Sequence, residues 1–143
     1  MVSGDKMAID RAIVLAAERG ARRSILLPVS APFHCALMAP AAAIMRAALA
    51  EVRIAPPAVP LVANVTAAAE RDPDTIRRLL IEQVTGLVRW RESVLFMKGE
   101  GVTSLVEIGA GKVLSGLAKR IDRDLTAVSI QGPADIDAFL RTL

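Results

Sequence analysis

The only histidine of the chain, His34, stands in the run Leu27-Pro28-Val29-Ser30-Ala31-Pro32-Phe33-His34-Cys35-Ala36-Leu37-Met38. It follows a short apolar segment, so it is expected at the carboxyl end of a strand, where α/β sheets place their sites. An imidazole there can serve as a general base, because imidazoles gain and lose protons near neutral pH. A structural histidine that caps the next helix fits the same residues equally well. Cys35 is adjacent, but neighbouring helical residues point about 100° apart, which disfavours a Cys–His nucleophile pair. A small buried hydrophobe is the plainer reading of Cys35. One histidine and one cysteine, with no second ligand at a usual spacing, do not make a metal site.

A second candidate is Gly109-Ala110-Gly111-Lys112-Val113, which has the look of a phosphate loop. A Walker loop needs glycine at the position of Val106 and Ser or Thr at that of Val113. A dinucleotide loop needs glycine where Leu114 stands. Both nucleotide readings fail, and the glycines are better read as letting a strand turn sharply into a helix.

The elements that must carry these residues follow from periodicity. Asp5 to Arg19 reads as a helix, with Ile9, Ile13 and Ala17 on one face and Gly20 placed to end it. Ser24 to Val29 reads as a buried strand, Ser30 to His34 as a loop, and Ala36 to Val52 as an alanine-rich helix. Pro40 is tolerable there only near the first turns. Pro56, Pro57 and Pro60 mark a rigid connection before a strand at Leu61 to Val65. Asp74 is placed to cap a helix to about Thr85, whose stripe is Ile76, Leu79, Leu80, Val84 and Leu87. Gln83 is a polar residue inside that stripe. Beyond it come a helix (Arg91 to Lys98), a strand (Thr103 to Ile108), a helix (Lys112 to Ile121), a strand (Leu125 to Ile130) and a closing helix (Asp135 to Arg141). Strands alternating with helices predict an α/β fold with a parallel sheet.

Composition bounds the function. Of 143 residues, 53% are hydrophobic and 23% charged, enough to bury a core and unlike a disordered chain. The net charge is +3, with the basic residues scattered in short pairs; with one tryptophan and no tyrosine, nucleic acid is a poor partner. A mildly basic surface suits an acidic protein or a phosphorylated substrate. A single cysteine and no signal peptide point to the reducing cytoplasm. Ser24 to Met45 lacks Lys, Arg, Asp and Glu and is long enough to span a bilayer. Its three prolines argue against a membrane.

Four segments together resemble the malonyl-CoA:acyl-carrier-protein transacylases and the acyltransferase domains of polyketide synthases. They are Pro28 to Met38, Pro60-Leu61-Val62-Ala63-Asn64-Val65, Val88-Arg89-Trp90-Arg91-Glu92-Ser93-Val94 and Glu107-Ile108-Gly109-Ala110-Gly111-Lys112-Val113-Leu114. Their order and spacing are also similar, and the resemblance covers nearly the whole chain. It implies the C-terminal part of an α/β-hydrolase-like acyltransferase domain with a parallel sheet (residues 30–143). Residues 1–29 would be the end of an inserted ferredoxin-like subdomain. A start inside that subdomain divides its sheet, so exposed apolar strand edges are expected, with self-pairing as one outlet.

The resemblance further implies transfer of malonyl from CoA to the pantetheine thiol of acyl carrier protein through a serine ester, as in fatty acid biosynthesis. His34 matches the histidine that takes the serine proton. Gln83 matches the residue whose backbone carbonyl orients that ring, and the last turn of a helix does leave carbonyls without intrahelical partners. Phe33 matches a position that favours malonyl over methylmalonyl, and Asn64 falls in a matching segment as a substrate-binding candidate. No cofactor is implied; the substrates are malonyl-CoA and phosphopantetheinylated carrier protein. The chain departs from the family in a large way: Gly-x-Ser-x-Gly occurs nowhere. The oxyanion-hole glutamine and the arginine that clamps malonate have no match either. Three readings follow: a transacylase part, from a truncated gene, a wrong start codon or a split protein with a separate N-terminal half; a catalytically inert remnant that binds carrier protein; and a hydrolase of the same fold, disfavoured because all four segments match the transferases.

Overall fold

The computed structural model describes residues 2–142. The chain divides into two compact units, Met1–Val88 and Arg89–Leu143.

The first unit opens with α1 (Lys6–Glu18). The Asp5 carboxylate caps it, accepting from the backbone N–H groups of Met7 at 3.0 Å and Ala8 at 3.2 Å. Its half-buried face carries Ile9, Ile13 and Ala16, whereas Ala17, expected on that face, is exposed. Residues 24–29 depart from expectation. They form no strand, and Ile25, Leu26, Leu27 and Val29 are exposed rather than buried. A strand exists only when its backbone groups meet a partner ladder, and no described strand runs beside this segment. Pro28 also lacks a ladder donor, and the Val29 N–H turns back to the Leu27 carbonyl at 2.9 Å. The result is an exposed apolar segment, not a strand edge.

A 3-10 turn at Ala36–Met38 leads into α2 (Ala39–Ala50), and Pro40 lies in its first turn, where its missing N–H costs nothing. Strand β1 (Leu61–Ala63) pairs antiparallel with β2 (Ala68–Glu70), with Val62 opposite Ala69. The second strand lies in Ala67-Ala68-Ala69-Glu70, where alanine hides the strand signal. Next comes α3 (Pro73–Gln83), which packs against α2. Its cap is Asp72, not Asp74: the Asp72 carboxylate accepts from the Thr75 N–H at 2.7 Å, and that bond holds its pKa below the usual carboxylate range. Proline at N1 explains the shift, since Pro73 is pre-set for the first helical residue and leaves the cap to the residue before it. Ile76 and Leu79 are buried. The helix ends at Gln83, so Val84 and Leu87 fall beyond it, and Leu80 and Leu87 are exposed.

The second unit runs α4 (Trp90–Gly99), β3 (Ser104–Ile108), α5 (Val113–Ile121), β4 (Thr126–Ile130) and α6 (Pro133–Leu140). β3 and β4 are parallel, in register from Ser104 opposite Thr126 to Ile108 opposite Ile130, with α5 as the crossover. This is the parallel sheet of an α/β fold. Helix α5 packs on both strands and against α4. The core is Val94 of α4, Ala118 of α5, and Leu125, Ala127 and Ile130 at β4. Lys98 at the end of α4 ties the far end of α5 through ion pairs to Asp122 and, at 3.3 Å, Asp124. These bonds raise the Lys98 pKa and lower that of Asp122.

Candidate functional site

His34 lies in the turn between the exposed segment and the 3-10 turn. Its φ is 60°, in the left-handed region that L-residues other than Asn, Asp and His seldom enter. Two short bonds close the chain around it: the Phe33 N–H donates to the Ala31 carbonyl at 2.9 Å, and the Cys35 thiol donates to the Pro32 carbonyl at 3.1 Å. Cys35 is therefore half-buried and hydrogen-bonded, not the fully buried hydrophobe expected from its type. Its sulfur is engaged with the backbone, away from the ring.

The His34 ring reaches across to the end of α3. Its Nδ1 lies 2.9 Å from the backbone carbonyl oxygen of Gln83. Gln83 is the last residue of α3, where the carbonyls have run out of intrahelical donors. A carbonyl only accepts, so Nδ1 carries a proton, and in the neutral ring this leaves the lone pair on Nε2. The local sequence makes this possible: Pro73 and Asp72 start α3, and its length carries residue 83 to the last turn.

Phe33, Ser30 and His34 line one open cleft of about 1200 Å³ with Ile9, Ile13 and Arg23. Phe33 stands 44% exposed, so its ring is presented to the cleft rather than packed into a core. Asn64 is elsewhere, at the β1–β2 turn, and is not among the residues lining this cleft. The structure thus joins His34 to Gln83 by a hydrogen bond and places Phe33 beside His34 in the cleft. Among the described residues, no three His, Cys, Asp or Glu side chains are grouped to hold a metal ion. No helix of the described residues is long and apolar enough to cross a membrane.

The glycine loop is held by residues that composition did not single out. Gly109 and Gly111 have φ of 135° and 95°, which glycine alone takes without strain. The Gln131 side-chain oxygen accepts from the Gly111 N–H at 3.2 Å, and the Ser129 hydroxyl donates to the Gly111 carbonyl at 2.7 Å. The Glu107 carboxylate accepts from the N–H groups of Leu114 at 3.1 Å and Ser115 at 2.8 Å. These bonds, the one from Ser115 foremost, lower the Glu107 pKa. The chain's own carboxylate thus occupies the helix N-terminus where a phosphate would sit, so the loop is not a nucleotide cradle. A signal was present: Glu107 alternates with Leu105 on the strand face that turns toward α5.

No family model matches the chain. The malonyl CoA-acyl carrier protein transacylase of Salmonella typhimurium is 44% identical over 140 residues, covering 98% of this chain and 45% of that protein. The crystal structure of acyl-carrier-protein-S-malonyltransferase from Bartonella henselae is 50% identical with a TM-score of 0.91, covering 97% of this chain and 44% of that one. Another solved structure, a type II PKS acyl-carrier protein in complex with its malonyl-transacylase, is 39% identical with a TM-score of 0.91, covering 98% and 45% respectively. The chain spans just under half the length of the relatives it matches. Identity of this order along almost every residue of the chain, with the same backbone, leads to one conclusion: the chain belongs to the malonyl-CoA:acyl-carrier-protein transacylase family, of whose members it spans a C-terminal portion.

Proposed function

We propose that this chain supplies the histidine part of a malonyl-CoA:acyl-carrier-protein transacylase acting in the cytoplasm, with malonyl-CoA and acyl carrier protein as its substrates and no cofactor. The observation that carries the reading is the 2.9 Å contact from His34 Nδ1 to the Gln83 carbonyl, which leaves Nε2 ready to accept a proton. In the first half-reaction a serine hydroxyl attacks the malonyl thioester. Nε2 takes the hydroxyl proton and returns it to the departing CoA sulfur as the carbon–sulfur bond breaks. In the second, Nε2 takes the proton of the pantetheine thiol, the sulfur attacks the malonyl-serine ester, and the proton passes to the serine oxygen. Phe33 sets acyl size where it faces the cleft, and Asn64 contacts substrate from its hairpin. Residues 1–29 belong to the smaller subdomain of this fold and residues 30–143 to the larger.

The serine is not in this chain, since no Gly-x-Ser-x-Gly occurs in it. The remaining portion of the fold, which carries that serine in this reading, is needed for transfer, and residues 1–143 by themselves do not transfer malonyl. The same lack of a nucleophile elbow favours a second reading, an inert remnant that still binds carrier protein. A radiolabelled-malonyl transfer assay separates the two. The chain alone is expected to be inactive. Mixed with the remaining portion of the Bartonella henselae enzyme it should transfer malonyl, and His34→Ala should lower that by on the order of 10²-fold or more. Transfer by the purified chain alone would sink the proposal, and a well-folded mixture without transfer would leave the inert reading standing.

A further inference from the structure

The end of α3 contains a second polar contact that the backbone carbonyl does not explain. The Gln83 side-chain Nε2 donates to the Gly86 carbonyl at 3.1 Å, three residues further on. The same nitrogen lies 3.5 Å from His34 Nδ1. Because it faces a carbonyl, this end of the amide must be the nitrogen, as the oxygen would face a second lone pair.

We infer that the Gln83 side chain is a positioning residue for His34: by clasping the Gly86 carbonyl it locks the turn at the end of α3, and so keeps its own backbone carbonyl aimed at Nδ1.

The bonding of the turn supports this. The backbone N–H groups of Thr85 and Gly86 both go to the Glu82 carbonyl, at 3.3 and 2.8 Å, and that of Val84 goes to Ile81 at 3.2 Å. None of them competes for the Gln83 carbonyl. The turn is tight: a Cβ on Gly86 would stand 2.7 Å from Val65 Cγ2 and 2.8 Å from the Glu82 carbonyl oxygen. One residue therefore does two jobs, with its carbonyl holding the ring and its amide holding the carbonyl. The tautomer is selected by the carbonyl that the amide holds in place. If Nδ1 lost its proton it would turn a lone pair toward the Gln83 carbonyl at 2.9 Å and gain only the 3.5 Å contact in return. This inference rests on His34 as the base, but its test reads the ring directly and needs no turnover.

His34 is the only histidine, so 15N-histidine labelling gives ring signals from this residue alone. At a pH where the ring is neutral, the wild-type chain is expected to show Nδ1 protonated and Nε2 free. Gln83→Met keeps the length and the backbone carbonyl but removes the donor. It should lower the Nδ1–H share by about twofold or more, as the ring is freed to exchange tautomers. Gln83→Leu, which can neither donate to Gly86 nor accept from the ring, should do the same. Wild-type tautomer ratios in both folded variants would overturn the inference. If Gln83→Met does not fold, Gln83→Leu decides; if neither folds, the amide serves the fold itself and the inference falls. A wild-type ring protonated mainly on Nε2 would instead refute the base assignment, which keeps the two failures apart.

Discussion

His34 sits at φ 60°, and this gives its substitutions an unusual order. In the left-handed region an L-residue is strained by roughly 1–2 kcal/mol, whereas glycine is not. Glycine carries its own penalty of roughly 0.5–1 kcal/mol from greater freedom in the unfolded chain. The difference favours His34→Gly over His34→Ala by about 0.5–1 kcal/mol. Both variants lose the bond from Nδ1 to the Gln83 carbonyl, a net loss of about 0.5–1.5 kcal/mol. His34→Ala should then be about 1 kcal/mol less stable than wild type, and His34→Gly within about 1 kcal/mol of it. The control is Ala47→Gly, at an exposed position inside α2, where the order reverses and glycine should cost about 1 kcal/mol. Equilibrium urea unfolding followed by circular dichroism measures all four proteins. If His34→Ala proves as stable as His34→Gly or more so, the left-handed turn is not a constraint of the fold, and the account of how the ring is presented fails.

Other outcomes test the second unit and the cleft. Val94 is fully buried, so Val94→Ala removes two methyl-sized groups from the core and should cost about 2 kcal/mol in the same urea assay. Glu107 has a folded pKa below its unfolded one, so its contribution is present above the usual glutamate range and is lost as pH falls through the folded value. In acid-unfolding curves, wild type should therefore lose stability relative to Glu107→Gln below about pH 4, near where free glutamate titrates. Parallel curves would remove the carboxylate from the cap. In the assembled enzyme, Phe33→Ser should raise use of methylmalonyl-CoA over malonyl-CoA, a modest shift because one methyl is worth about 1–3 kcal/mol. Unchanged product ratios in a competition assay would refute the steric role.

Most local structure was legible from order in the sequence. The helical stripe at Ile76 and Leu79, and the strand–helix–strand run from Ser104 to Ile130, depend on near neighbours and periodicity, and both formed as read. Proline and glycine placed several ends correctly, such as Pro40 in the first turn of α2. The cap at Asp72 was misplaced by two residues because Asp72 and Asp74 both fit the local pattern, and only the position of Pro73 on the helix separates them. Residues 24–29 show what near neighbours cannot decide. Their apolar run predicts a strand, but a strand needs a second ladder, and the described chain brings none beside them. The resemblance to a family, carried by four segments, was likewise in the sequence. What only the tertiary structure decided is the assembly of parts distant along the chain. His34 and Gln83 are 49 residues apart, and no periodicity relates them. Folding of α3 and the left-handed turn at His34 puts a donor and an unsatisfied carbonyl 2.9 Å from one another. The same holds for Glu107, whose carboxylate reaches the start of α5 because a parallel strand and its crossover helix are packed together. Hydrogen bonds act over a few ångströms of space, and it is the folded backbone, not spacing along the chain, that sets those distances.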